Sequence, residues 1–120
     1  MNKTILMGRM TADPVMRSTQ SGKSVCDFSI AVDDGYGEQK YTSFINCTAW
    51  QKTAEAIHKF VTKGQRILIC GRLRQEKWEK DDRKYSVVKI IVEEFNFVEG
   101  KKSEYPQSEI TPINDEIIPF

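Results

Sequence analysis

The chain has 120 residues, of which 39% are apolar and 29% charged, enough for one small globular domain with a single core. It has no apolar run near the roughly 20 residues of a membrane-spanning helix, and its first ten residues do not resemble a secretory signal, so a cytoplasmic protein is expected. The net charge of +1 hides a split, because residues 1–102 hold all 18 basic and 13 acidic residues, a balance of +5, whereas residues 103–120 carry −4. A basic body with an acidic tail indicates a domain that binds a polyanion.

Five segments have the two-residue periodicity or the apolar, β-branched composition of β-strands, and one segment has helical spacing. The predicted strands are KTILM (3–7), SVCDFSIAV (24–32), YTSFINCTA (41–49), RILICGRLR (66–74) and YSVVKIIVEEFNFV (85–98). Between the third and fourth, Ala54, Ile57 and Val61 fall at helical spacing, and Gly64 can end this helix after Lys63. Glycine weakens a flat strand, so Gly71 predicts a bulge or a tight bend.

This order of elements predicts an all-β protein, a five-stranded OB-type Greek-key barrel with one helix between strands three and four. The ligand face of such a barrel is built from strands two and three and from the loops that follow strands one and four. From residue 100 onward the strand pattern stops and prolines occur among polar residues. We therefore expect residues 1–99 to form the barrel domain and residues 100–120 to form a disordered, flexible acidic tail.

Neither the cysteines nor the other reactive side chains indicate catalysis. Cys26, Cys47 and Cys70 are odd in number and lie far apart in apolar stretches, so we expect reduced core residues rather than disulfides or metal ligands. His58 is the only histidine, and the acidic pairs at 33–34 and 81–82 have no further ligand placed to complete a metal site. The chain is expected to be a non-enzymatic protein without metal or cofactor.

Aromatic rings occur among Lys and Arg in this sequence. Tyr36 and Trp78 lie in charged segments interpreted as loops and Tyr85 begins the fifth strand, whereas Phe44 and Trp50 bracket the third strand and fit the core as well as a ligand site. Unpaired bases stack on exposed rings while phosphates pair with cations, so the pattern favours single-stranded nucleic acid bound with little sequence preference. The candidate phosphate contacts are Lys3, Arg9, Arg17, Arg72, Arg74, Lys77, Lys80, Arg83 and Lys84.

Several motifs resemble the bacterial single-stranded DNA-binding protein family over residues 1 to about 98. They are NKTILMGRM with Asp13-Pro14 and Arg17 after it, FINCTAW (44–50), KG (63–64) and GRLR (71–74) leading to Trp78. The resemblance implies an OB barrel, usually assembled as a homotetramer around which DNA wraps, and it assigns base stacking to Tyr36, Phe44, Trp50 and Trp78. The chain departs from the family in several places: Glu76 stands where a base is frequent, Val88-Lys89 replaces a frequent Thr-Glu pair, and the loop from Asp33 to Lys40 that holds Tyr36 is short and acidic.

The last six residues, DEIIPF, resemble the acidic ending of that family. The resemblance implies a docking peptide for replication, recombination and repair proteins, in which Phe120 enters an apolar pocket and Asp115 and Glu116 steer the approach to a basic surface. Ile117, Ile118 and Pro119 complete the docking segment.

The expected function is therefore the coating and protection of exposed DNA strands during replication, recombination and repair, with partner enzymes recruited through the tail and the protein located at the nucleoid. Two alternatives stay open. An OB-fold adaptor of the primosome type would bind protein partners more than DNA, and an RNA-binding chaperone would also use rings and cations.

Overall fold

A computed structural model describes residues 1–98, and these form six β-strands and one α-helix. The strands are β1 (Thr4–Met10), β2 (Val15–Ser18), β3 (Ser24–Asp34), β4 (Tyr41–Trp50), β5 (Arg66–Lys80) and β6 (Arg83–Phe97). The helix α1 (Gln51–Phe60) lies between β4 and β5, and a single 3₁₀ turn, Gly37–Gln39, joins β3 to β4. No helix among residues 1–98 is long and apolar enough to cross a membrane.

The sheet closes on itself as a barrel. Its strand order is β1-β5-β6-β4-β3-β2, and β1 pairs with β3 as well as with β5. The closed ring therefore contains β1, β3, β4, β6 and β5, which are the five strands that the sequence predicts, in the connectivity of an OB barrel. β4 and β6 pair in parallel and the other described pairs are antiparallel.

The core fills the inside of this ring and continues under α1. Inward-facing residues of β3, β4, β5 and β6 are buried together, among them Ile30, Cys47, Ile69 and Ile90. The helix contributes Ala54 and Ile57, both fully buried, which is the amphipathic spacing that the sequence shows. α1 ends three residues earlier than predicted, because Val61 already has extended backbone angles while its N–H still bonds the carbonyl of Ile57.

Gly71 lies at a β-bulge, as predicted. The register between β5 and β6 shifts there, since Cys70 pairs with Glu94 while Gly71 pairs with Val92, and Glu93 is the extra residue. A Cβ atom on Gly71 would lie 2.1 Å from the carbonyl oxygen of Ile91. Only glycine therefore allows the two strands to approach this closely.

The fourth and fifth predicted strands are longer in the structure and form a projecting hairpin. β5 runs to Lys80 and β6 begins at Arg83, so residues 75–80 and 83–84, interpreted from sequence as a loop, are strand. Asp81 and Asp82 have positive φ angles of 53° and 63°, which suits a two-residue turn between twisted strands. We call residues 74–80 and 83–89 the ribbon, because within the described chain these strand residues pair only with each other.

Two further predictions are corrected. The short strand β2 was not predicted, and it lies on the open edge of β3 with Val15 paired to Asp27. Cys26 and Cys47 are buried, as expected, but Cys70 is only half-buried. Strand alternation places Cys70 on the outer side, between Ile69 and Gly71, which face inward. All three cysteines are free thiols.

Candidate nucleic-acid interface

Four aromatic side chains lie on one outer surface that runs from the barrel onto the ribbon. Phe44 and Trp50 point outward from β4, because Cys47 and Ala49 between them point into the core. Thr48 pairs with Ile91, so the outward residues of β4 and β6 share a side. Tyr85 lies on the same side of β6 as Ile91, and Trp78 of β5 lies directly opposite Tyr85. We call the surface that carries these four rings the ring face.

The four rings keep much of their area in contact with solvent. Phe44 is 68% exposed, Trp78 49%, Tyr85 40% and Trp50 36%. Trp78 and Tyr85 stack on each other, with centroids 5.6 Å apart and planes inclined by 16°. Each ring therefore covers one face of the other, and the remaining exposed area of the pair is available to a further planar group. The ambiguity over Phe44 and Trp50 is resolved, since neither side chain is buried in the core.

Two carboxylates lie among the cations of the ring face. Glu76 Oε1 accepts from Lys89 Nζ at 2.9 Å, and its Oε2 lies 4.0 Å from Arg74 Nε. Asp27 Oδ2 accepts from Arg17 Nε at 2.6 Å, and its Oδ1 accepts from the hydroxyl of Thr48 at 2.9 Å. The hydrogen bond from Lys89 is the main reason why the pKa of Glu76 lies below its usual value. Glu76 and Lys89, which both depart from the family pattern, therefore form one ion pair.

The pKa of Asp27 reflects opposing effects. Burial alone would raise it, but the hydrogen bonds from Arg17 and Thr48 and the positive charges of Arg17 and Lys89 lower it below the ordinary value. Arg17 also lowers the pKa of Glu76, so the two carboxylates belong to one electrostatic network. This network links β2, β3, β4 and both strands of the ribbon.

Other predicted phosphate contacts are engaged within the protein. Lys3 and Arg72 both contact Glu93, at 3.4 Å and 3.3 Å, and the hydrogen bond to Glu93 is the main cause of a raised pKa of Lys3. Arg9 donates to the carbonyl of Gly64 at 2.7 Å. The side chain of Asp13 accepts from the N–H of Lys63 at 2.8 Å, so the sequence motifs around Asp13 and Lys63 fix one loop against another.

The predicted cations nearest the hairpin turn make no ion pair with another described residue. Lys80 and Arg83 face the same side as Trp78, whereas Lys77 and Lys84 face the opposite side of the ribbon. The ribbon thus presents positive charge on both sides. The role of these four cations as phosphate contacts stays a prediction.

Tyr36 lies in a loop, whereas the four rings of the ring face lie on strands. It lies in the loop between β3 and β4, is 89% exposed and lines a groove together with Arg9, Lys40 and Arg66. Lys40 forms an ion pair with Asp33 at 3.7 Å. Arg9 and Arg66 face each other across β1 and β5.

Sequence analysis missed three cations that the fold brings to these surfaces. Lys89 lies on the ring face, and its spacing of four residues from Tyr85 in a strand was the available signal. Lys40 and Arg66 become visible only through the groove beside Tyr36. Arg9 and Arg66 are far from Tyr36 in the sequence. Only the pairing of β1 with β5 brings these two arginines together beside the loop that holds Tyr36 and Lys40.

The predicted docking residues Asp115, Glu116, Ile117, Ile118, Pro119 and Phe120 lie outside the described residues. Within residues 1–98, no group of three or more His, Cys, Asp or Glu side chains is placed to hold a metal ion.

Comparisons with known proteins agree with this fold. The model of the Single-strand binding protein family matches residues 1–98. A single-stranded DNA-binding protein of Aquifex aeolicus is 37% identical over 98% of this chain and 86% of its own length, and single-stranded DNA-binding protein 2 of Clostridium acetobutylicum is 34% identical over the full length of both chains. A relative of the same description from Fusobacterium nucleatum is 39% identical over 86% of this chain and 70% of its own length.

A solved structure, the Plasmodium falciparum SSB complex with ssDNA, superposes with a TM-score of 0.75 at 24% identity and covers 81% of this chain and 94% of that one. This likeness supports the OB-type barrel. The family match over residues 1–98 and the relatives that align along almost the whole sequence lead to one conclusion: the chain belongs to the single-strand binding protein family.

Proposed function

We propose that the chain binds single-stranded DNA without strong sequence preference and coats exposed strands. One observation carries this proposal: a single outer face presents Phe44, Trp50 and the stacked pair Trp78–Tyr85 to solvent among cations. Bases of any sequence have a planar face to stack on such rings, and phosphates pair with the surrounding charges. The names of the relatives and the DNA in the complex of the structural neighbour support the same ligand.

The chemistry of the face favours single strands over duplex. Base stacking on a side chain needs a base whose face is free, and in duplex DNA those faces are covered by neighbouring base pairs. The rings here project from a continuous sheet and a ribbon, and a flexible strand can follow such a surface from one ring to the next. The protein contributes binding and shielding, and the function needs no bond to be made or broken.

We further propose a domain division, an oligomeric state, protein partners and a location in the cell. We propose that residues 1–99 are the DNA-binding domain, that residues 100–120 are a flexible tail whose tip recruits replication, recombination and repair proteins, and that the protein acts as a homotetramer at the nucleoid. The acidic and apolar ending of the sequence and the family membership support these roles. The adaptor and RNA-chaperone alternatives differ in ligand, so one titration separates them from DNA coating.

The test is a titration of the purified full-length chain with oligo-dT, with an RNA oligomer of equal length and with duplex DNA, at two salt concentrations. The intrinsic fluorescence of Trp50 and Trp78 is followed. We expect strong quenching by oligo-dT that weakens with salt, and little quenching by duplex. Quenching by RNA alone would favour the chaperone, and no quenching by any ligand would contradict DNA coating and favour the adaptor.

A further inference from the structure

An acidic side chain lies at the centre of the ring face, where a DNA-binding surface is expected to be basic. Glu76 lies two residues before Trp78 on the same side of β5. Its side chain is 39% exposed, so it is accessible from the side on which a strand would lie. The question is what a carboxylate contributes at this position.

Both oxygens of this carboxylate lie beside cations. Oε1 accepts from Lys89 at 2.9 Å, and Oε2 lies 4.0 Å from Arg74. Arg74 and Lys89 face each other across the ribbon, in a directly paired position of the strands. The Lys89 side chain is only 15% exposed, so Lys89 is held near Glu76 by the packing around it as well as by charge.

A phosphate group has the properties that this arrangement accepts. It is a compact anion with several acceptor oxygens, and it pairs with Lys and Arg in the same way as a carboxylate. A strand whose bases stack on Trp78 and Tyr85 has its backbone within a few ångströms of those rings, and Arg74 and Lys89 flank the next positions on the same side. Glu76 and a DNA phosphate would therefore compete for one pair of cations.

We propose that Glu76 occupies a phosphate subsite of the ring face and acts as an affinity-determining residue that the bound strand must displace from Arg74 and Lys89. The proposal rests on the proposed function, because it concerns the same ligand and the same surface. It assigns phosphate binding to Lys89 together with Arg74, and one of these two positive charges is balanced by Glu76 when DNA is absent.

This displacement has two measurable effects. In wild type the charge of Glu76 stays beside Arg74 and Lys89, so the subsite neutralises less phosphate charge, and fewer counterions leave the DNA, than with two uncompensated cations. Removing the carboxylate should therefore strengthen binding at low salt by about three- to tenfold. It should also make the dependence of log affinity on log salt steeper, by about 0.7 for each additional phosphate of a single strand that the protein neutralises.

The experiment compares Glu76→Gln with Glu79→Gln in the full-length chain. Both variants lose one negative charge from β5, but Glu79 faces the opposite side of the ribbon and makes no ion pair with another described residue. Binding of a fluorescently labelled oligo-dT is measured by anisotropy over a series of salt concentrations, so that the readout does not depend on the environment of Trp78. Circular dichroism confirms that both variants fold.

We expect Glu76→Gln to bind more tightly than wild type and with a steeper salt dependence, and Glu79→Gln to change both quantities less. The increase in affinity caused by Glu76→Gln should be smaller in a Lys89→Gln background, because one of the two cations for which Glu76 and phosphate compete is then absent. Glu76→Asp keeps the charge but shortens the side chain, and its affinity should lie between those of wild type and Glu76→Gln.

Equal effects of Glu76→Gln and Glu79→Gln would overturn the subsite, since net charge alone would then explain them. Weaker binding by Glu76→Gln would also overturn it, because Glu76 would then be supporting the bound state. If wild-type protein binds oligo-dT but the variants give either of these two results, the subsite is wrong and the proposed function stands. Wild-type protein that does not bind oligo-dT would overturn both proposals.

Discussion

Trp78 and Tyr85 show how the residue across the strand determines what a side chain can do. From the sequence, Trp78 is an isolated ring in a charged loop. In the fold it stacks on Tyr85 at 5.6 Å, which orients both rings and leaves the outer surface of the pair open. A stack formed in advance loses less side-chain freedom when a base is added, so the two residues are expected to act as one site.

Replacement of Trp78 by Ala should weaken binding of oligo-dT by about 1–3 kcal/mol, the usual contribution of one stacked base. Anisotropy titration of a labelled oligomer measures the change. Phe60→Ala is the matched control, because Phe60 is an aromatic ring on α1, 36% exposed and away from the ring face. Equal losses from the two substitutions would show that general destabilisation, rather than stacking, weakens binding.

Asp27 provides a prediction about pH. Its pKa is lowered in the folded state, so its ion pair with Arg17 stabilises the fold at pH values above the unfolded pKa of about 4 and is lost as pH falls through the lower folded value. Asp27→Asn should therefore be less stable than wild type at pH 7, and the difference should narrow toward pH 3. Urea unfolding at the two pH values measures this.

Asp34→Asn is the control for that comparison, because Asp34 lies at the end of β3 and makes no ion pair with another described residue. It should follow wild type at both pH values. If the free energy of unfolding falls between pH 7 and pH 3 by as much in Asp27→Asn as in wild type, then other carboxylates dominate the loss of stability in acid.

At the scale of elements, the sequence predicts those strands that have one buried side. β3 and β4 alternate clearly because one side of each strand packs into the core. β2 has four residues and no inward apolar row, and the ribbon has water on both sides, so its charged residues resemble those of a loop. The two-residue turn of Asp81 and Asp82 joins β5 to β6, and it lacks the Asn-Gly or Asp-Gly sequence that usually marks such a turn.

Gly71 is the residue on which the pairing of β5 with β6 depends most directly. Gly71→Ala should lower the free energy of unfolding by about 1–3 kcal/mol or more, because the new methyl group would overlap the carbonyl oxygen of Ile91. Urea unfolding measures the change, and Cys70→Ala, at the half-buried neighbouring position, should cost less. A Gly71→Ala variant as stable as wild type would mean that the bulge can relax at little cost.

At the scale of the whole molecule, the barrel can be predicted from element order and one glycine, and the rings of the interface from their charged surroundings, whereas the arrangement of the interface cannot. The order of five strands with a helix after the third fixes the connectivity, and Gly71 indicates closure. The ring face depends on which residues of distant strands pair, such as Thr48 with Ile91 or Arg74 with Lys89. Sequence spacing alone places Glu76 as a charged loop residue, and only the register shows its position between two cations.

The closed core also makes two thiols reporters of global opening. Burial raises the pKa of Cys26 to about 11 and that of Cys47 to about 12, so neither forms the reactive thiolate near neutral pH while the barrel is folded. Alkylation with iodoacetamide at about pH 7.5, followed by peptide mass spectrometry, should modify these residues only in urea. The half-buried Cys70 serves as the internal comparison, and modification of Cys47 before Cys70 in native protein would contradict a closed barrel.

The bulge at Glu93 has a consequence for how the length of the chain can vary. Without this extra residue, every β6 position before it would turn to the other side of the sheet, placing Ile90 and Val92 in water and Tyr85 away from Trp78. Loss of one residue from β6 should therefore exchange the inside and outside of the strand, whereas removal of two residues from each arm of the hairpin would shorten it and preserve its orientation. Relatives that differ in hairpin length are expected to differ by even numbers in each strand.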